Sequence, residues 1–190
     1  NRYYPHLAII ISALLWSLDA FLRQSLYSLS PLLVITLEHG IGSLLFAPIL
    51  ISNWIKLKPL KQTVWISLLW ISILGGICGT YFYTKALSYV GYIDLSVVVL
   101  LQKFQPLFAV SLAAIILKEK LSKRYLILAL FAMIGGYLVT FGSSPIPIGD
   151  NNTLIAALFS LLAAFCWGSS TVLGKQALIF FPYSVVTALR

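Results

Sequence analysis

Long apolar runs, separated by short polar connections, dominate the chain. A helix that crosses a bilayer needs about 20 mostly apolar residues. Six runs approach or exceed that length, and a seventh begins at Pro182 and reaches the last residue, Arg190. The six runs cover residues 7–26, 31–55, 64–87, 92–117, 125–141 and 154–174. Because lipid offers no hydrogen-bond partner to an open backbone, these runs predict helices rather than strands, and hence an all-α polytopic membrane protein.

The composition excludes the main alternative class. Of the 190 residues, 60% are hydrophobic and 9% are charged, whereas soluble globular chains carry about 25% charged residues. So few charges could not cover a compact core, which excludes a soluble domain and most cytosolic enzymes. Both cysteines, Cys78 and Cys166, fall inside apolar runs, so we expect neither a disulfide framework nor a metal site.

The charge balance predicts an orientation. The chain has 13 Lys and Arg against 5 Asp and Glu, a net charge of +8. Only Arg23 and Lys85 fall on one predicted side of the membrane, and the N-terminus and loops on the other side hold nine cations. These nine are Arg2, Lys56, Lys58, Lys61, Lys118, Lys120, Lys123, Arg124 and Lys175. Cytoplasmic loops are rich in Lys and Arg, so we expect a multi-pass protein of the cell (plasma or inner) membrane with a cytoplasmic N-terminus. Because the cations lie between apolar runs, we expect no nucleic-acid partner.

An internal repeat divides the chain. Residues 143–153, rich in Gly, Pro, Ser and Asn, read as a linker between a unit at 7–142 and the start of a second unit at 154–190. The stretch around Trp16 is echoed around Trp167, and each is followed by a cation with glutamine and then by a proline. The first unit has five predicted helices, an odd number, so the second unit must run inverted. Inverted repeats around a midplane site are typical of secondary transporters.

Several short motifs in this order resemble the EamA family of the drug/metabolite transporter superfamily. They are KALSYVG at 85–91, PLFA at 106–109, LKEKL at 117–121, GGYL at 135–138 and WG at 167–168. The resemblance implies ten helices in two inverted five-helix repeats, and export of amino acids, metabolites or drugs. By that standard the chain holds one EamA repeat and the truncated start of another, as a fragment of a ten-helix transporter.

Polar residues cluster at predicted membrane depth in the fourth run. Lys103 lies about eleven residues into it, roughly 16 Å deep at about 1.5 Å per residue. Gln102, Gln105 and Pro106 flank it, and Pro106 leaves the carbonyl of Gln102 without its helical donor. The cluster predicts a substrate-binding surface, because charges at this depth usually face a cavity or a partner. The alternative is a buried structural ion pair beside a packing kink.

Three further residues are candidates for the substrate pathway. Glu38, roughly 10 Å deep in the second run, is the expected counter-charge of Lys103 and a place where protons could couple to transport; a static bridge, or a pairing near His39, is the alternative. Asp19 and Arg23 are four residues apart, and this spacing predicts an ion pair. Trp16 lies one turn before Asp19. The Trp16 ring either lines the pore or has a structural packing role.

The third run contains the last candidate for the substrate pathway and a pair of glycines at helix-packing spacing. Tyr81 could offer its ring or hydroxyl to a substrate, although such residues are more often interface anchors. Gly75 and Gly79, four residues apart, predict close helix packing. Glu119, in the LKEKL motif, predicts a salt bridge or a helix cap in a loop.

Catalytic chemistry is poorly supported. The two histidines, His6 and His39, form no zinc-protease or hydrolase motif, and no phosphate-binding glycine loop is present. We therefore expect no enzyme and no cofactor, but a secondary transporter that exports small organic solutes by alternating access. A non-transporting scaffold or receptor, and less so an intramembrane enzyme, are the alternatives. Oligomeric state and substrate identity do not follow from these residues.

Overall fold

The regular elements of the described chain are helices. The computed structural model describes residues 4–26, 28–57, 62–142 and 151–189. The elements are α1 (Tyr4–Gln24), α2 (Pro31–Leu57), α3 (Gln62–Trp70), a π-helix (Ile71–Cys78), α4 (Gly79–Leu87), α5 (Leu95–Gln102), α6 (Gln105–Ile116), α7 (Lys123–Phe141), α8 (Asn151–Ala177) and α9 (Tyr183–Leu189). Most of the predicted linker, residues 143–150, lies outside the described residues, as do Arg2, Lys58, Lys61 and Arg190.

The helices coincide with the apolar runs. Within the described residues, five spans are long and apolar enough to cross a membrane: Pro5–Gln24, Pro31–Asn53, Val64–Leu87, Leu95–Ile116 and Asn151–Ala177. The fifth predicted run forms α7, and the seventh forms α9. Large apolar side chains such as Leu44 (77% exposed) and Ile115 (74% exposed) point outward, as lipid-facing residues do. The prediction of an all-α polytopic membrane protein is confirmed.

Helix α8 is the centre of the bundle. It packs most extensively against α4, α6 and the π-helix. Ala156, Ala163 and Ala164 on α8 have no exposed surface, and such small residues let helix backbones approach closely. At Gly79, a Cβ atom would lie 2.6 Å from Nε1 of Trp167. The predicted close packing is thus confirmed at Gly79, whose partner is α8.

The fourth run is broken near its middle. Helix α5 ends at Gln102 and α6 begins at Gln105, with Pro106 in its first turn. The amide of Lys103 still donates to Val99 O (3.1 Å) and Leu100 O (3.0 Å), whereas Pro106 has no N–H to donate to the carbonyl of Gln102. The predicted kink is confirmed, and it places Lys103 between two helical segments.

Contacts at opposite ends of the bundle agree with the predicted alternation of the runs. The ammonium of Lys175, near the end of α8, lies 2.8 Å from Oε1 of Glu119, in the loop after α6. This exposed ion pair confirms the salt bridge predicted for Glu119. The C-terminal half of α1 meets α2 and α4 at the other end, where the site described next is built.

Candidate substrate cavity

A cavity of about 690 Å³ opens beside the centre of the bundle. Helices α1 and α2 form one wall, and the π-helix, α4, α6, α8 and α9 form the rest. Its polar and charged lining includes Asp19, Arg23, Glu38, Thr80, Gln105 and Thr187, and its aromatic lining includes Trp16, Phe46 and Trp167. Apolar helices rarely bring such groups together without a ligand or partner to meet them.

Arg23 links three helices beside this cavity. Its Nε lies 2.9 Å from Oδ2 of Asp19 on the same helix, and its Nη2 lies 2.7 Å from Oε2 of Glu38 on α2. Its Nη1 donates to Oγ1 of Thr84 on α4 at 3.2 Å. The Arg23 side chain is 10% exposed, against 30% for Asp19 and 44% for Glu38. Both carboxylate side chains are therefore more exposed than the Arg23 side chain.

The sequence predicted one of the two ion pairs that Arg23 forms. Residues four apart lie on one helix face, and the predicted Asp19–Arg23 pair is confirmed. The pairing of Glu38 with Lys103 is wrong, because Arg23 holds the Glu38 carboxylate. Lys103 Nζ lies 4.6 Å from the ring centroid of Trp16, and Arg23 follows Trp16 by seven residues, about 10 Å along α1. Lys103 therefore contacts the aromatic ring of Trp16 rather than the Glu38 carboxylate.

Two tryptophans form the aromatic part of the lining. Trp167, 9% exposed, donates from Nε1 to the carbonyl of Gly75 at 2.8 Å. Gly75 lies in the π-helix, a conformation that often marks functional sites. Trp16 meets Trp167 edge to face, with 6.2 Å between ring centroids, and the Tyr83 ring also packs against Trp167, with 5.4 Å between centroids. Trp167 is thus fixed, whereas Trp16, 49% exposed, has more freedom.

The structure places three of the six predicted site residues in the cavity lining. These are Trp16, Glu38 and Gln105, and Gln105 also donates from Nε2 to Oγ1 of Thr171 at 3.2 Å.

The other three predicted site residues, Lys103, Gln102 and Tyr81, lie outside the lining. Gln102 is 1% exposed, and its Nε2 has no hydrogen-bond partner in the part of the chain that the structure describes. Tyr81 packs edge to face on Phe82, with ring centroids 5.7 Å apart. A substrate role for these three residues remains a prediction.

Sequence reasoning missed two central residues of the cavity. Arg23 was expected only as the partner of Asp19, and Trp167 only as the echo of Trp16 in the repeat. The echo of Trp16 at Trp167 was the signal that could have found Trp167, because the two rings meet edge to face in the structure.

The fold and cavity together define a polytopic helical membrane protein with a polar and aromatic pocket among its spans. The chain belongs to the EamA-like transporter family, whose sequence model matches residues 4–141. The resemblance found in the sequence motifs is therefore confirmed.

A curated relative extends the comparison over the rest of the chain. The "Riboflavin transporter ImpX" of Fusobacterium nucleatum subsp. nucleatum is 38% identical over 193 aligned residues, which cover 100% of this chain and 64% of the relative. The chain thus spans just under two thirds of the length of the curated relative it matches. No solved structure matches the chain.

Proposed function

We propose that this protein is a secondary transporter that carries a small organic solute across the membrane by alternating access. The observation that carries the proposal is the cavity of about 690 Å³, whose walls come from α1, α2 and α6 in the first unit and from α8 and α9 in the second. Small-molecule sites typically enclose about 300–1,000 Å³. Alternating access requires a site at the junction of two units that can rock against each other, and a cavity lined by helices from both sides of the predicted linker supports the proposal.

The chemistry of the lining favours a flat heteroaromatic solute with polar edges. Trp16, 49% exposed, offers a ring surface for stacking an aromatic solute, and Trp167 lines the same cavity. Glu38, Thr80 and Thr187 offer hydrogen-bonding groups to its rim. Riboflavin, which the name of the relative gives as that protein's solute, has a fused ring system with polar edges and a polyol chain. We therefore propose riboflavin or a compound of this shape as the substrate.

Membrane placement, direction and coupling belong to the same proposal. The excess of Lys and Arg in alternate loops favours a plasma-membrane protein with a cytoplasmic N-terminus, and the family resemblance favours export. Glu38, 44% exposed beside the cavity and paired with Arg23, is the proposed proton-coupling carboxylate. Transport that is indifferent to an imposed pH gradient would contradict this coupling.

Flavin measurements in cells test the proposed function. The full reading frame is expressed in a strain that lacks its own flavin transport, at matched membrane levels with a Trp16→Ala variant and a Trp65→Ala control. Trp65 is a half-exposed tryptophan outside the cavity lining. We expect the parent and Trp65→Ala to change the distribution of riboflavin between cells and medium, and Trp16→Ala to lose most of that change.

The same experiment separates the alternatives. Riboflavin that accumulates in the medium indicates export, and riboflavin that accumulates in cells indicates import. Equal distributions in the parent and in cells with an empty vector would contradict the proposed substrate and favour the scaffold or receptor interpretation.

A further inference from the structure

All three nitrogens of the Arg23 guanidinium are already engaged. Nε donates to the carboxylate of Asp19, Nη1 to the hydroxyl of Thr84, and Nη2 to the carboxylate of Glu38. With the side chain 10% exposed, little of its donor surface faces the cavity. An anionic solute would have only the remaining N–H groups of Nη1 and Nη2 to bind, beside the two carboxylates that Arg23 already holds.

The charges of the cavity wall are therefore unbalanced toward the negative. Two carboxylates, Asp19 and Glu38, share the single guanidinium of Arg23, which leaves a formal net charge of −1 on this cluster. His39 also lines the cavity, and its Nδ1 contacts the carbonyl oxygen of Ile35 at 3.1 Å. That contact requires a proton on Nδ1, which the neutral ring can supply.

Two further cations, Lys85 and Lys103, form no ion pair with these carboxylates within the described residues, and the ammonium of Lys85 lies over the ring of Tyr89. The ammonium of Lys103 lies over the ring of Trp16 and outside the lining. Trp16 itself precedes Arg23 by seven residues, about 10 Å along α1. The more exposed charges at the Arg23 level are thus the two carboxylates.

We propose that the Asp19–Arg23–Glu38 cluster makes the cavity selective for uncharged solutes and excludes their phosphate esters. The inference rests on the proposed function: the cavity would accept riboflavin and reject riboflavin 5′-phosphate, which differs by a phosphate of about −1.5 to −2 charge at pH 7. A bound phosphate would face two carboxylates that share one guanidinium, and a carboxylate that it displaced would lose its ion-pair partner. Asp19 and Glu38 are in this account specificity-determining residues.

Competition in proteoliposomes tests the inference. Protein made from the full reading frame is reconstituted, and counterflow of labelled riboflavin is measured against unlabelled riboflavin or riboflavin 5′-phosphate. We expect the phosphate ester to compete at least about tenfold more weakly than riboflavin, because juxtaposed like charges disfavour binding strongly. The ratio of the two inhibition constants is independent of the amount of active protein.

Charge-neutralising variants test whether the Asp19–Arg23–Glu38 cluster causes the weaker competition by the phosphate ester. The variants Glu38→Gln and Asp19→Asn, tested separately, each bring the net charge of the cluster to zero. We expect each variant to lower, several-fold, the ratio of the inhibition constant of riboflavin 5′-phosphate to that of riboflavin. Either variant alone suffices if the other does not fold. Glu119→Gln, which removes an exposed carboxylate at the opposite end of the bundle, should leave the ratio as in the parent.

The outcomes distinguish the inference from the function on which it rests. Riboflavin counterflow with equal competition by the phosphate ester would overturn the inference alone. A ratio that is unchanged in both neutralised variants would also overturn it. A parent that shows no riboflavin counterflow would overturn the proposed function, and this inference with it.

Discussion

Arg23 on α1 and Glu38 on α2 form an ion pair, with Nη2 and Oε2 2.7 Å apart, inside segments that are apolar enough to span a membrane. The pair is joined to Asp19 and to Thr84 on α4 through the same guanidinium. Three helices around the cavity are therefore connected through one side chain, and the charge that the solute meets is set by how that side chain is shared.

Replacing Arg23 should destabilise the bundle. Arg23→Gln leaves the carboxylates of Asp19 and Glu38 without their cation, and we expect a loss on the order of 1–3 kcal/mol, since hydrogen bonds to charged groups are worth about that much. Arg23→Lys keeps the positive charge, so it should lose less stability than Arg23→Gln. It should still be less stable than the parent, because an ammonium cannot reach three partners with a planar fork. Thermal unfolding of the purified protein in detergent checks the order. Equal stability of the parent and Arg23→Gln would contradict a linking role.

The hydrogen bond of Trp167 should be measurable by a conservative change. Trp167→Phe keeps an aromatic ring but leaves the buried carbonyl of Gly75 without its donor, which typically costs about 1–3 kcal/mol. Trp16→Phe, at the exposed ring of the pair, should lose less stability. Thermal unfolding of both variants tests this difference, and a smaller loss for Trp167→Phe would argue against a fixed Trp167.

Gly79 should tolerate no side chain. Its missing Cβ would lie 2.6 Å from Nε1 and 2.7 Å from Cδ1 of Trp167, so Gly79→Ala forces the ring to move, and overpacking of this kind typically costs about 1–3 kcal/mol. Gly174→Ala is the matched control, because nothing lies within 4 Å of its Cβ position. Equal unfolding temperatures for the two variants would contradict the close contact.

Lys103 is expected to act through Trp16. Its ammonium lies 4.6 Å from the centroid of that ring, and a cation–π contact contributes roughly 0.5–2 kcal/mol. Lys103→Met should therefore weaken riboflavin binding several-fold, and Lys103→Arg, which keeps the cation, should restore most of it. Titration of flavin fluorescence with purified protein gives both affinities. A change in stability without any change in affinity would favour a purely structural role.

Hydropathy was sufficient to predict the helical spans but not how each helix is rotated. In α2, Leu44 is 77% exposed and Val34 is 8% exposed, although both are apolar and suit lipid and the protein interior alike. Helix association in membranes lacks a hydrophobic driving force that would mark the buried face. The sequence therefore predicted the span of α2 correctly and assigned the wrong partner to Glu38.

Predictions that depend on the sequence of a single helix were correct. The break after Gln102 follows from the missing N–H of Pro106, and the Asp19–Arg23 pair follows from their spacing. The position of Trp167 depends instead on the approach of α8 to the π-helix and α4, which the sequence of α8 alone does not determine. Only the echo of Trp16 in the repeat pointed to it.

Counterflow of labelled riboflavin by the purified protein tests the central claim most directly. Proteoliposomes loaded with unlabelled riboflavin are given a trace of labelled riboflavin outside, and the parent is compared with Trp16→Ala and Trp65→Ala. The account predicts a transient, saturable accumulation of label with the parent and Trp65→Ala, reduced at least about tenfold with Trp16→Ala. No accumulation above protein-free liposomes, or equal accumulation by all three proteins, would contradict a solute pathway through this cavity.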